Sequence, residues 1–179
     1  MDRVGTVYGQ GLYTLAKEEG LESAVLEQLQ VLDGSFQSQP DYLRLLALRN
    51  LSKDERIGIL NDGFADKLHP YALNFLKLLT EKGYIRQFSD CCKAYIKEYN
   101  ADKGILEVKA VSAVALSDAQ KTKLADKLTA MTGKQVTLTC KVDAAVLGGV
   151  RLQFDGQQVD GTVQNRLQEM EKMLKNTVL

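Results

Sequence analysis

The stretch KVDAAVLGGVRLQFDGQQVDG, residues 141–161, concentrates the strongest turn signals of the chain. It holds a double glycine, Gly148-Gly149, and two Asp-Gly pairs between short runs in which apolar and polar residues alternate. Such alternation predicts strands that are buried on one face. An Asp-Gly pair between two such runs indicates a two-residue hairpin turn. The stretch therefore predicts strands of a small sheet that are joined by tight turns.

The same glycines could instead belong to a phosphate-binding loop. Such a loop places its glycines between a strand and the N-terminus of a helix, and a lysine or a third spaced glycine completes it. Here Gly148 and Gly149 lie between two predicted strands, and no lysine follows them. The sequence therefore favours a turn or bulge that uses the backbone freedom of glycine.

The same alternation recurs upstream of this stretch, in LEVKA (106–110) and VTLTCKV (136–142). Between them, SDAQ at 117–120 is a capping box and predicts the start of a helix. Downstream, apolar residues recur at helical spacing, namely Val163, Leu167, Met170, Leu174 and Val178. Residues 104–179 thus predict the order β-α-β-β-β-α, a small α/β domain with a mixed sheet and two helices.

The first 103 residues show helical periodicity only. A second capping box, SKDE, stands at 52–55, Pro70 has the position of a first-turn proline, and Gly83 has that of a helix stop. The spacing of apolar residues between these signals predicts six helices. The predicted fold class is therefore α+β with two domains, an N-terminal six-helix bundle over 1–103 and the α/β domain over 104–179.

Charge and hydropathy exclude several classes of protein. The 23 Lys and Arg residues balance the 23 Asp and Glu residues, so the basic stripe that nucleic-acid binding requires is not expected. No apolar run approaches the roughly 20 residues that cross a bilayer, and the chain begins without a signal-peptide pattern. We expect a cytoplasmic protein that does not insert directly into a membrane.

A few residues could carry chemistry, and each has a simpler structural interpretation. The candidates are Cys91, Cys92, Cys140, His69, Asp143, Asp155 and Asp160. Adjacent cysteines on a helix point about 100° apart, which does not suit a shared metal, and Cys92 falls in an apolar stripe. His69 precedes Pro70 and is expected at a helix entry, and the aspartates are expected at turns and helix starts. We predict no catalytic residue, no cofactor and no metal site.

Four stretches of the chain together resemble one family. They are YGQGLYTLA (8–16), NFLKLLTEKG (74–83), YNADKGILEVKAVSAVALSDAQ (99–120) and VTLTCKVDAAVLGGVRLQFDGQQVDGTVQNRLQEMEKML (136–174). With the two-domain order, they are similar to the delta subunit of bacterial F-type ATP synthase, whose mitochondrial counterpart is the oligomycin-sensitivity-conferring protein. The resemblance covers nearly the whole chain.

This resemblance implies a non-catalytic stator subunit at the cytoplasmic face of the membrane, which links the catalytic head to the peripheral stalk and resists rotor torque during proton-driven ATP synthesis. It implies that residues 1–103 bind N-terminal segments of the alpha subunits, with candidate residues Tyr8, Gly11, Asn74, Phe75 and Leu78. It implies that residues 104–179 bind the b subunits of the stalk, with candidate residues Gly148, Gly149, Arg166 and Leu167.

Gly9 and Gly11 remove side-chain bulk from the first helix, so we expect a partner helix to approach closely there. Two alternatives stay open at this stage. One is a free-standing adaptor that binds helical peptides outside any ATP synthase. The other is an enzyme that uses Cys140 or the glycine turn.

Overall fold

The computed structural model describes residues 3–48, 51–144, 146, 148–154 and 156–161. The chain divides into two compact units, Met1–Tyr99 and Asn100–Leu179. Helices make up the first unit, and a four-stranded mixed sheet with a helix makes up the described part of the second. The predicted α+β class and the mixed sheet are confirmed. The assignment of a separate binding role to residues 1–103 and 104–179 stays a prediction.

The helices between residues 3 and 103 follow the order α1 (Arg3–Glu18), α2 (Glu22–Ser38), α3 (Pro40–Leu46), α4 (Lys53–Phe64), α5 (Pro70–Lys82) and α6 (Phe88–Lys103). A single 3-10 turn, Ile85–Gln87, precedes α6. Ile85 and Phe88 are spaced as on one face of a helix, and both side chains are buried although the α-helix begins only at Phe88.

Local signals set several of these helix ends, as predicted. Ser52 accepts a hydrogen bond from the Glu55 N–H through its hydroxyl, and the Glu55 carboxylate accepts one from the Ser52 N–H. Pro70 is the first residue of α5, where a missing N–H costs nothing because that N–H would have no partner in the helix. Gly83 ends α5 with φ 77°, a conformation that glycine adopts without strain.

The buried side chains of the first unit form one apolar core to which every helix contributes. Tyr95 of α6 belongs to this core and is fully buried. Its hydroxyl donates to the backbone oxygen of Glu22 at 2.9 Å, and its ring meets the ring of Tyr13 edge-on at 5.4 Å between centroids. A buried phenol needs such a partner, because a lost hydrogen bond inside a protein is costly. Tyr95 therefore ties α6 to both α1 and α2.

Gly9 allows α1 to pack directly against the backbone of α6. A Cβ at Gly9 would overlap the carbonyl oxygen of Cys91 and would lie 2.7 Å from the Cβ of Ala94. One turn earlier, a Cβ at Gly5 would lie 2.7 Å from the Cβ of Asp90. The expectation that Gly9 makes room for a partner helix is therefore wrong, because that space is already occupied by α6.

The second unit contains β1 (Ile105–Ser112), α7 (Asp118–Thr132), β2 (Gln135–Val142), β3 (Val150–Phe154) and β4 (Gln157–Asp160). The strand order in the sheet is β2-β1-β3-β4. β1 and β2 are parallel and are connected by α7, since parallel neighbours need a crossover, whereas β3 and β4 run antiparallel. The described elements follow the predicted order β-α-β-β-β, and the predicted C-terminal helix lies outside the described residues.

The turns of the opening stretch are confirmed. Phe154 pairs with Gln157, so only two residues connect β3 and β4, and the second of them, Gly156, has φ 75°. Gly149, at the end of the connection between β2 and β3, has φ 84°. Both values lie in the left-handed region, which residues with a Cβ rarely adopt. The glycines of this stretch serve the geometry of the sheet.

The two faces of the sheet differ in polarity. On one face, Leu106 and Val108 of β1 are buried beneath Leu128 of α7. On the other face, Glu107 and Lys109 are exposed, because successive residues of a strand point to opposite faces. Further along the apolar face, Val159 of β4 remains 52% exposed. Within the described residues, α7 thus covers the apolar face incompletely.

Candidate functional site

The adjacent cysteines lie in the core. Cys91 and Cys92 of α6 are reduced cysteines, and both are buried. Burial raises the pKa of Cys92 far above its ordinary value, and the nearby Asp33 raises it further. Because the thiolate is the nucleophile and the metal ligand, such a thiol is inert. The prediction of a core thiol is confirmed for Cys92, while Cys140 of β2 is a free thiol that is half-buried.

The single histidine of the chain caps a helix. His69 immediately precedes α5, and its Nδ1 accepts a hydrogen bond from the Tyr71 N–H at 3.4 Å. Its ring lies against that of Tyr71, with 5.2 Å between centroids. The predicted position at a helix entry is confirmed. One of its two ring nitrogens, Nδ1, is thus engaged with the backbone.

The aspartates considered as metal ligands are not brought together by the part of the chain that the structure describes. Asp160 of β4 forms an ion pair with Arg151 of β3, with 3.0 Å between Oδ2 and Nε. Asp143 follows β2, and its N–H donates to the backbone oxygen of Ser112 at 2.9 Å. Asp155 lies outside the described residues. Among the described residues, no three acidic, cysteine or histidine side chains form a group that could hold a metal ion.

The residues predicted to bind the alpha subunits lie on α1 and α5, and they differ in accessibility. Gly11 and Asn74 are exposed, and Leu78 is 39% exposed. Tyr8 is half-buried, and its ring lies 5.8 Å from the ring of Tyr84, just beyond the end of α5. Phe75 is buried in the core. Four of the five candidates are therefore at least partly accessible, and Phe75 supports α5 from within.

Two further apolar residues of α1 are exposed on either side of Gly11 and were missed from the sequence. Val7 is 61% exposed and Leu15 is 40% exposed. Together with Gly11 they occupy positions i, i+4 and i+8, which form one stripe along a helix. Leu15 also fits, by its spacing from Leu12 and Tyr8, a buried stripe of α1. The signal was present in the spacing of Val7, Gly11 and Leu15, but only the helix packing shows which apolar stripe faces solvent.

The residues predicted to bind the stalk are described only in part. Gly148 is half-buried and Gly149 is exposed, at the end of the sheet where β3 begins. Arg166 and Leu167 lie outside the described residues. Two exposed valines stand near the same end. Val142, 53% exposed, pairs in register with Ser112, and the hydroxyl of Ser112 donates to the backbone oxygen of Val114, which is 72% exposed.

A cleft of about 430 Å³ lies between α2 and the end of α4. Its lining residues are Glu27, Gln28, Val31, Leu32, Ser35, Phe64, Lys67 and Leu68. The walls are mostly apolar and carry one acidic and one basic side chain, so the cleft lacks the converging polar groups of a catalytic site. In the described ranges, no helix combines the length and apolar character that spanning a membrane would take.

The comparison with known families decides among these possibilities. The model of the family described as ATP synthase delta (OSCP) subunit matches residues 4–174. The chain belongs to this family. The family consists of structural, non-catalytic ATP synthase subunits, which form part of the peripheral stalk. An enzyme that uses Cys140 or the glycine turn is thereby excluded.

Individual relatives of the delta (OSCP) family agree with this assignment. The ATP synthase subunit delta of Shouchella clausii (strain KSM-K16) is 31% identical over 173 residues, which cover 96% of this chain and 95% of the relative. That of Clostridioides difficile (strain 630) is 29% identical over 172 residues, with 96% and 95% covered. A chain in the cryo-EM structure of the Toxoplasma gondii mitochondrial ATP synthase hexamer shares the fold, with a TM-score of 0.79, 17% identity and coverage of 97% and 98%.

Proposed function

We propose that this chain connects the catalytic head of an F-type ATP synthase to its peripheral stalk through two separate surfaces. In this proposal α1–α6 act as one six-helix bundle that binds N-terminal segments of the alpha subunits. Residues 104–179 bind the b subunits. The chain works as a peripheral subunit at the cytoplasmic face of the membrane and resists rotor torque without chemistry of its own. Membership of the delta (OSCP) family supports the connecting role.

The observation that carries the alpha-binding surface is the exposed apolar stripe of α1. A soluble helix bundle normally turns its apolar residues inward, so a stripe facing solvent indicates a binding surface. Val7 and Leu15 flank Gly11, where nothing lies within 4 Å of the position that a Cβ would take. Leu78 and Asn74 offer an apolar and an amide group on α5. An amphipathic helix that places apolar residues at i, i+4 and i+7 suits such a surface.

The stalk-binding surface is proposed at the end of the sheet that carries Gly148 and Gly149. The exposed side chains of Val114 and Val142 lie near this turn and give it apolar area. Arg166 and Leu167 follow the last described residue, Gly161, by only a few positions. The Gly161 N–H donates to the backbone oxygen of Val150, so the chain leaves the sheet at this same end. The turn at Gly148 and Gly149 and the point at which the chain leaves the sheet therefore lie at the same end of the sheet.

Titration calorimetry tests the alpha-binding surface. The full chain is titrated with a synthetic peptide of the N-terminal segment of the cognate alpha subunit. We expect one-to-one binding with a negative change in heat capacity, which marks the burial of apolar surface. Leu78→Asp should weaken binding by about tenfold or more, since it places a charge where an apolar contact is proposed.

Val31→Asp is the matched control, because Val31 is an even more exposed apolar residue on a helix outside the proposed surface. It should leave the affinity unchanged. Equal weakening by the two variants would show that the bundle, and not a surface on α5, responds to the charge. Absence of binding by the folded wild-type chain would contradict the proposed role. Separately, a free-standing adaptor would not co-purify with membranes, whereas a stator subunit should.

A further inference from the structure

The start of α5 is held by a side chain from another helix. The Oε1 atom of Gln28, a half-buried residue of α2, accepts a hydrogen bond from the backbone N–H of His69 at 2.9 Å. The two residues are 41 positions apart in sequence. This bond therefore joins the connection between α4 and α5 to the middle of α2.

The bond replaces a local capping interaction that α5 lacks. In α4 and α7, the side chain of the third helical residue accepts a hydrogen bond from the N–H of the capping residue, and Glu55 and Gln120 supply that acceptor. In α5 the third helical residue is Ala72, whose side chain cannot accept a hydrogen bond. Gln28 supplies the missing acceptor from α2. The result is a capping box whose two halves come from different helices.

His69, the residue that Gln28 holds, also accepts two hydrogen bonds from the first turn of α5. The carbonyl of His69 accepts from the Leu73 N–H at 3.1 Å, and its ring accepts from the Tyr71 N–H at 3.4 Å. Displacement of His69 would thus release both bonds. Asn74 and Leu78 follow one and two turns later on the exposed side of the same helix.

We propose that Gln28 is a positioning residue, which fixes the first turn of α5 against α2 and so sets the position of Asn74 and Leu78 for partner binding. The binding part of this inference rests on the proposed function. The positioning part does not, because it concerns the free chain. Gln28 itself lies outside the proposed alpha-binding surface.

Hydrogen exchange of the Leu73 amide measures the positioning directly. Loss of one hydrogen bond of ordinary net strength should speed local opening of the first turn by about fivefold. We expect this acceleration in Gln28→Ala and its reversal in Gln28→Glu, which keeps an acceptor oxygen at the same place. Gln37→Ala is the control, because Gln37 also belongs to α2 but donates to Asp33 within the same helix. In Gln37→Ala the Leu73 amide should exchange as it does in the wild type.

The amide proton shift of His69 gives an independent signature, since it reports the bond to Gln28 itself. It should change in Gln28→Ala and be largely restored in Gln28→Glu. An unchanged exchange rate of Leu73 in Gln28→Ala, or failure of Gln28→Glu to restore it, would overturn the proposal.

Affinity for the alpha-subunit peptide separates the two parts of the inference. Gln28→Ala should weaken binding severalfold relative to Gln37→Ala, and an unchanged affinity beside faster exchange would overturn the link to binding. If the wild-type chain itself fails to bind the peptide, the proposed function fails, and the exchange rates of Leu73 still decide whether Gln28 positions α5.

Discussion

Within the described residues, the two units differ in how large an apolar core they bury. The core of the first unit contains seventeen buried side chains, drawn from all six of its helices. The apolar cluster of the second unit contains three of its described residues, namely Leu106, Val108 and Leu128, and Ala110 and Val146 are buried outside that cluster. The first unit also packs backbone against backbone, at Gly9. Both units leave some apolar side chains more than half exposed, among them Val31 in the first and Val159 in the second.

This difference indicates how each unit can meet a partner. A helical unit with a large shared core presents a surface of fixed shape, and the exposed stripe of α1 lies on that surface. A sheet whose described residues bury few apolar side chains needs further apolar cover, because small cores contribute little stability. The sequence predicts that residues 163–178, which lie outside the described part, supply that cover as an amphipathic helix.

Removal of residues 162–179 should give the largest effect. The truncated chain loses five apolar residues that the sequence predicts on one face of a helix, and each contributes about 1.5–3 kcal/mol when fully buried. That sum is comparable with the whole stability of a small domain, about 5–15 kcal/mol. We expect amide protection of β1 to disappear while α1–α6 keep theirs, as measured by hydrogen exchange.

A chain that ends at Lys175 is the control, because it keeps four of these five apolar residues. It should retain protection of β1. If the chain ending at Gly161 melts like the full chain, the sheet is stable without the last segment and the contrast between the two units is wrong.

Gly9→Ala should give the next largest effect, now in the first unit. The new methyl group would overlap the backbone oxygen of Cys91, and a backbone atom cannot move aside as a flexible side chain can. We expect a loss of about 3 kcal/mol in the free energy of unfolding, the upper end of the usual cost of overpacking. Urea denaturation of the first unit measures it.

Gly11→Ala, on the same helix, should change the free energy of unfolding in the opposite direction. Nothing lies within 4 Å of the Cβ position at Gly11, and alanine is the better helix former by about 1 kcal/mol. The first unit should therefore become more stable. Equal destabilisation by the two substitutions would mean that α1 responds to any change at glycine, and the close packing on α6 would not be the cause.

What the sequence predicted well in both units is local. The capping boxes at Ser52 and Ser117, Pro70 and the hairpin at Gly156 each depend on residues within a few positions of one another. Their geometry is determined by short-range hydrogen bonds and by backbone conformation. The period of the apolar residues then indicates which elements exist and, in outline, which fold they form.

What the sequence did not predict depends on how helices pack. Gly9 and Gly11 look alike in the sequence, yet one meets the backbone of α6 and the other faces solvent. Leu15 fits a buried stripe by its spacing but is 40% exposed. The bond between Gln28 and His69 joins positions 41 residues apart. Each of these features requires the relative placement of helices, which periodicity within one helix does not contain.

The smallest expected effect is a difference in acid response between the two capping boxes, at Ser52 and at Ser117. The Glu55 carboxylate accepts hydrogen bonds from the Ser52 N–H and hydroxyl, each at 2.8 Å, and these bonds lower the pKa of Glu55. A lowered pKa in the folded state means that the unfolded state binds more protons, so the box stabilises α4 above the ordinary pKa of a glutamate, about 4.3. That stability is lost as the pH falls through the lowered value.

In the second unit Gln120 occupies the equivalent position and accepts from the Ser117 N–H at 2.9 Å without titrating. Glu55→Gln should therefore remove the acid-dependent part of the exchange rate of the Arg56 amide, which donates to the carbonyl of Ser52. Gln120→Glu should introduce the same dependence at the Lys121 amide of α7. All other carboxylates titrate alike in the wild type and in the variant. The difference between the pH profiles of the two proteins therefore reports the contribution of the capping box alone. Parallel profiles for the wild type and Glu55→Gln between about pH 6 and pH 3 would show that the carboxylate of Glu55 does not support α4.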